Sequence, residues 1–103
     1  MYKIALVCEN GASTGLVVTK MIEAANKNGI EADVAAYPYS QLSNLVDTKD
    51  FILLGPQLAY KKATFIKQFP ALEGKLDSVA PVDFGMMNGE KILNDTIKRI
   101  DEK

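Results

Sequence analysis

Histidine is absent from this 103-residue chain, and cysteine and arginine occur once each, as Cys8 and Arg99. Without histidine there is no Ser–His or Cys–His nucleophile pair, no imidazole general base and no histidine-rich metal site. A single cysteine cannot close an internal disulfide, which favours a reducing cytosol. Charge of one sign is lacking too: 12 basic residues stand against 13 acidic ones, for a net charge of -1, and the lysines are scattered. That leaves no electrostatic footprint for nucleic acid. No charged-then-apolar leader opens the chain and no apolar run approaches a membrane span, so a soluble cytoplasmic domain is expected. No metal or organic cofactor is implied.

What is present suits one globular domain over residues 1–103. Apolar residues make up 48% of the chain, near the globular average. A chain of this size buries roughly two-thirds of the surface its unfolded form exposes, so it needs no metal or disulfide staple. Tyr2 to Val7 is a nearly continuous apolar run, the mark of a strand covered on both faces. Ser13 or Thr14 is a good helix N-cap. Beyond it Leu16, Val17, Val18, Met21, Ile22, Ala24 and Ala25 fall at helical spacing, and Gly29 is a stop of the expected kind.

Ile30 to Tyr37 reads as a second strand before Pro38, and Leu42, Leu45 and Val46 as one or two helical turns. Phe51-Ile52-Leu53-Leu54 is a third strand closed by Gly55-Pro56, followed by a helix from Leu58 to Phe69 that Pro70 ends. Val79 to Val82 reads as a fourth strand, placed at a sheet edge because Pro81 cannot donate to a central ladder. Asn88 caps a last helix carrying Ile92, Leu93, Thr96, Ile97 and Ile100. This βαβαβαβα alternation implies an α/β fold, a parallel sheet with right-handed crossovers and helices on both faces. Ligands of such sheets sit outside the carboxyl ends of the strands. Cys8 lies at one such end and Gly55-Pro56-Gln57 at another.

Cys8-Glu9-Asn10-Gly11-Ala12-Ser13-Thr14-Gly15 therefore carries the chemistry. A helix N-terminus offers unpaired N–H groups and a partial positive charge, and the glycines let backbone approach an anion closely. The same field favours the anionic sulfur, which is the nucleophile. A thiolate attacking phosphorus would yield a phosphocysteine that the same N–H groups solvate. The plainer reading is a small buried hydrophobe at a strand end, a common role for free cysteine. A nucleotide P-loop is excluded because Gly11 and Gly15 are too close and no lysine follows, and no G-x-G-x-x-G is present. A C-x5-R phosphatase loop would need arginine where Thr14 stands. Without that bidentate clamp the loop suits passing a phosphoryl group on better than hydrolysing it.

The pattern Cys8-x-x-Gly11-x-Ser13-Thr14 after an apolar strand resembles the phosphorylation loop of the enzyme IIB components of the lactose/cellobiose class of the bacterial phosphotransferase system. Leu53-Leu54-Gly55-Pro56-Gln57-Leu58-Ala59-Tyr60 is similar to that family's segment after the third strand. Val82-Asp83-Phe84-Gly85-Met86-Met87-Asn88-Gly89 is similar to its segment leading into the last helix. The resemblance covers essentially the whole chain and implies a four-stranded three-layer sheet of order 2-1-3-4. It also implies that Cys8 accepts a phosphoryl group from a phosphohistidine of enzyme IIA. Cys8 then gives that group to a sugar held by the membrane-embedded enzyme IIC. Glu9, Asn10, Gly11, Ala12, Ser13 and Thr14 would form the anion cradle, with the Ser13 and Thr14 hydroxyls as extra donors. The family loop carries Met where Ala12 stands and Ser where Gly15 stands.

Gln57 has two readings side by side, a donor to phosphate or a cap for the following helix. Tyr60 and Tyr39 are candidate partner contacts, against ordinary packing. Met86-Met87 reads as core or rim packing, and Lys61, Lys62 and Lys67 as a solvated helix face. Two rival functions remain: a low-molecular-weight phosphatase-like hydrolase, and a diverged regulatory module that docks partners without transfer.

Overall fold

The apolar runs of the first and third strands form the centre of the sheet because they lack polar alternation and have to be covered twice. In the computed structural model, which describes residues 1–9 and 12–102 (backbone only at 12 and 13), Ile4, Ala5, Val7, Phe51, Ile52 and Leu54 are wholly buried. The order of elements is β1 (Tyr2–Cys8), α1 (Ala12–Lys27), β2 (Ala32–Pro38), α2 (Leu42–Leu45), β3 (Phe51–Leu54), α3 (Lys62–Gln68), β4 (Leu76–Ser78), α4 (Pro81–Gly85) and α5 (Gly89–Asp101). All strand pairs are parallel, in the order β2-β1-β3-β4.

Strand periodicity divides the core into two layers. Ile4, Leu6, Phe51 and Leu53 point to one face, under Val17, Met21, Ile92 and Leu93 of α1 and α5. Ala5, Val7, Ile52 and Leu54 point to the other, under Leu42, Leu45, Leu58 and Phe65. Each such fully buried aliphatic side chain contributes roughly 1.5–3 kcal/mol relative to exposure. The end of α1 is closed by Gly29, whose φ of 68° is left-handed and suits a residue without Cβ.

The alternating architecture agrees with the sequence reading, and three details do not. The fourth strand is Leu76–Ser78 rather than Val79 to Val82, and Pro81 instead opens the short helix α4. Proline is favoured there because its missing N–H is unneeded in a first helical turn. The segment after β3 is a 3-10 helix over Pro56–Lys61 before α3 begins, so the expected helix from Leu58 is broken in two. In α1, Leu16 and Ile22 share the helical spacing of the core residues yet are 61% and 39% exposed. The apolar stripe is wider than the sheet face it covers.

β4 is an edge strand of only three residues, and its open side is guarded. The Val79 N–H donates inward to Leu54, so the Ser78 N–H faces outward, where the Asp77 carboxylate accepts it at 2.8 Å. Lys62 from α3 and Arg99 from α5 reach the same carboxylate from either side. Burial pushes the Asp77 carboxyl up, but the hydrogen bonds from Arg99, Ser78 and Lys62, with the Lys62 charge, prevail and hold it below its ordinary value. A charged group occupying the edge blocks pairing with another strand.

The α1–α5 contact is closer than side chains allow. Gly89, the first residue of α5, is buried, and a Cβ there would lie 2.5 Å from Met21 N and 2.7 Å from Lys20 Cβ. Asn88 caps the helix as expected, its Oδ1 accepting the Lys91 N–H at 3.2 Å. Met87, just before it, holds a left-handed φ of 51°. Met86 is 74% exposed and Met87 39%, so the pair forms rim rather than core.

Candidate active site

β1 brings Cys8 to the carboxyl edge of the sheet, beside Pro38 of β2 in register, with the end of β3 on its other flank. Even-numbered residues of β1 face α1, so the sulfur points toward that helix rather than toward α3. There it meets Thr14. Cys8 is 6% exposed and Thr14 wholly buried, and Sγ lies 3.3 Å from Thr14 Oγ1. Either atom can donate when the sulfur is a thiol; when it is a thiolate only the hydroxyl can.

Thr14 is thus not an N-cap. The helix is already running at Ala12, and Thr14 sits inside its first turn, facing inward. Ser13 shares that helical backbone and is no N-cap either. Of the remaining cradle residues, Glu9 is exposed at the end of the strand. Asn10 and Gly11 lie outside the described residues, as do the side chains of Ala12 and Ser13.

The second segment at this edge follows β3. The Gly55 N–H donates to Val7 O at 2.8 Å, tying the end of β3 to the residue before the cysteine. Gln57 is not the cap of a following helix: it lies inside the 3-10 segment, and the N-cap positions of that segment and of α3 are Gly55 and Lys61, neither with a side-chain cap bond. Its carboxamide folds back instead, with Oε1 2.8 Å from the point where a Gly55 Cβ would stand, a point 3.6 Å from Cys8 Cβ.

Tyr39 and Tyr60 come together, but not against the sulfur. Both line a groove of about 450 Å³ on the α3 side, with Leu42, Phe65 and Phe69. Lys61 Nζ stands 5.0 Å from the Tyr39 ring centroid and 5.8 Å from that of Tyr60. Tyr39 also packs on Phe65, centroid to centroid 6.4 Å. Lys61 is therefore half-buried between two rings rather than solvated, and Lys62 is held by Asp77. Lys67 alone of the three keeps the expected exposed position. No spacing rule signalled Lys61, because its nearer ring, Tyr39, comes from the separate segment after β2.

The lone arginine is far from the cysteine in the fold. Arg99 lies over Phe51, at the opening residue of β3, and pairs with Asp77. Nearby, Asp83 and Asp95 both hold Lys91, and these hydrogen bonds raise the lysine above its ordinary value. Among the described residues no helix is long and apolar enough to cross a membrane.

A parallel sheet covered on both faces, with a buried cysteine and a threonine hydroxyl at its carboxyl edge, defines a three-layer α/β domain. Comparison with known proteins narrows the class. Residues 3–95 match the family described as "PTS system, Lactose/Cellobiose specific IIB subunit". The "PTS system galactose-specific EIIB component" of Lactococcus lactis subsp. cremoris is 36% identical over 95 residues, spanning 87% of this chain and 88% of the relative. The "PTS system cellobiose-specific EIIB component" of Lactococcus lactis subsp. lactis gives the same identity and coverage. The solution structure of the cellobiose-specific phosphotransferase IIB component protein from Borrelia burgdorferi superimposes with a TM-score of 0.81 at 31% identity. It covers 99% of this chain and 94% of that one. The chain belongs to the lactose/cellobiose-specific IIB family. It is a sugar-specific IIB component of the phosphotransferase system and a phosphotransferase of the cellobiose/lactose type. EIIB components work in general with EIIA and EIIC partners.

Proposed function

We propose that Cys8 is the phosphoryl carrier, taking the group from a phosphohistidine of enzyme IIA and passing it to a sugar bound by membrane enzyme IIC. The observation that supports this most is the buried Thr14 hydroxyl 3.3 Å from the Cys8 sulfur. A hydroxyl aimed at a sulfur stabilises the thiolate before attack and the anionic phosphorothioate after it. In the first step the S–P bond forms as the P–N bond to imidazole breaks, and the thiol proton ends on the imidazole nitrogen. In the second, the O–P bond to the sugar hydroxyl forms as the S–P bond breaks, and the hydroxyl proton returns to sulfur. Positioning and electrostatic stabilisation supply the catalysis.

The cradle in this reading is the backbone of Glu9 to Thr14. The exposed side chains Leu16, Tyr39 and Tyr60, which follow the carboxyl ends of β1, β2 and β3, supply apolar surface on which the two partners alternate. Work with a cytosolic donor and a membrane acceptor places the domain on the cytoplasmic side. The hydrolase reading loses ground because the only arginine is engaged at Phe51 and Asp77.

The test is phosphorylation by labelled phosphoenolpyruvate with the general phosphotransferase proteins and a cognate enzyme IIA. Mass mapping is expected to find the label on Cys8, and Cys8→Ser to abolish it. Label elsewhere, or steady turnover of an aryl phosphate by the protein alone, would refute the carrier reading.

A further inference from the structure

Gly55 has φ -58° and ψ 153°, a conformation that any L residue before a proline adopts. The backbone therefore does not call for glycine here. Its neighbours do. A Cβ at residue 55 would meet Cys8 Cβ at 3.6 Å and Val7 O at 3.7 Å, both ordinary contacts, and only Gln57 Oε1, at 2.8 Å, would be forced away. The missing side chain thus leaves a seat for one group, the Gln57 carboxamide, on the flank of the cysteine.

We propose that Gln57 is a phosphoryl-contact residue of the Cys8 site, and that Gly55 is glycine in order to seat it. The inference rests on the reading of Cys8 as the carrier. A carboxamide can turn either its oxygen or its NH2 group toward the same space, so it can face a thiol before transfer and donate to a phosphoryl oxygen afterwards. It makes and breaks no covalent bond. Being neutral, it offers a hydrogen bond without the bidentate cationic clamp of a hydrolase, and it has no basic oxygen to activate water. The phosphorylated cysteine is thereby held without being hydrolysed, as a relay requires.

The experiment compares wild type, Gln57→Ala, Gly55→Ala and the double variant in the rate at which label passes from phosphorylated enzyme IIA to Cys8. Loss of one hydrogen bond to a charged group should slow transfer about ten-fold in each single variant. Gly55→Ala keeps the glutamine but moves its amide, so the double variant should be no slower than either single one. Gln57→Glu should be slower than Gln57→Ala, because a carboxylate repels the phosphoryl oxygens. Gln57 is exposed, so its variants fold regardless, and melting curves check Gly55→Ala. Rates within two-fold of wild type would overturn the proposal, and multiplicative effects in the double variant would overturn the shared seat. A wild-type protein that never takes label would refute the carrier reading itself, and is seen before any variant is made.

Discussion

Replacing Gly89 by alanine tests whether the two helices on the α1 face are locked together. The new methyl carbon would sit 2.5 Å from Met21 N and 2.7 Å from Lys20 Cβ, with the Lys20 carbonyl carbon closer still. Carbon atoms in contact prefer about 3.5–4.0 Å, so the shortfall is about 1 Å. The obstacle is the α1 peptide between Lys20 and Met21, and Met21 is itself wholly buried, so it cannot swing aside as a side-chain tip would. Overpacking of this kind costs about 1–3 kcal/mol, and rigid backbone argues for the upper half of that range. Removing glycine's freedom from the unfolded chain offsets about 0.5–1 kcal/mol.

The expected net loss is about 1–2 kcal/mol, a fall in Tm of roughly 5–15 °C for a domain of this size. Urea unfolding followed by far-ultraviolet circular dichroism measures it. Gly15→Ala is the control: nothing lies within 4 Å of its added Cβ, and it sits in α1, the helix that Gly89 packs against. It should gain about 0.5–1 kcal/mol from helix propensity. If Gly89→Ala unfolds at the wild-type urea concentration, the α1–α5 contact is soft and the steric reasoning is wrong.

Thr14→Val removes the hydroxyl facing Cys8 and should slow phosphoryl transfer about five- to ten-fold, as expected for one lost donor to a charged group. Thr14→Ser should restore most of the rate, and equal rates in all three proteins would count against a role for the hydroxyl. Asp77 is depressed below its ordinary value in the folded state, so its contribution is present above about pH 4 and lost as pH falls from there through the folded value. Asp77→Asn should flatten the acid limb of a Tm-versus-pH curve below about pH 4 and lower stability at neutral pH by about 1 kcal/mol. Parallel acid limbs in the two proteins would show that the carboxylate is not the group responsible.

The parts of the fold carried by local pattern were readable in advance. β1 and β3 declare themselves as unbroken apolar runs because both faces are covered, and Gly29 and Asn88 mark helix ends by chemistry that acts within a few residues. β4 was misplaced because Leu76-Asp77-Ser78 has an acid at its centre, and what makes it a strand is two cations from distant helices. Val79 to Val82 looked better by composition, but proline at the first turn of a helix and proline on an edge strand are indistinguishable without neighbours. At the site, Cys8 and Gly55-Pro56-Gln57 were legible because parallel α/β topology sends both to one edge. The inward turn of Thr14 toward the sulfur and the fold-back of Gln57 over Gly55 were not, since neither leaves a mark in residue spacing.

The hydroxyl of Tyr2 donates to the Asp101 carboxylate, with both oxygens at 3.1 Å, and that bond raises the phenol above its ordinary value. The opening strand and the closing helix are therefore pinned at one pole of the molecule. At about 3.3 Å per strand residue, Cys8 lies about 20 Å away at the other pole. A linker grafted onto either terminus would leave from the far side of the sulfur. Covalent attachment at either end, whether to a second domain or to a solid support, thus leaves the Cys8 edge turned outward.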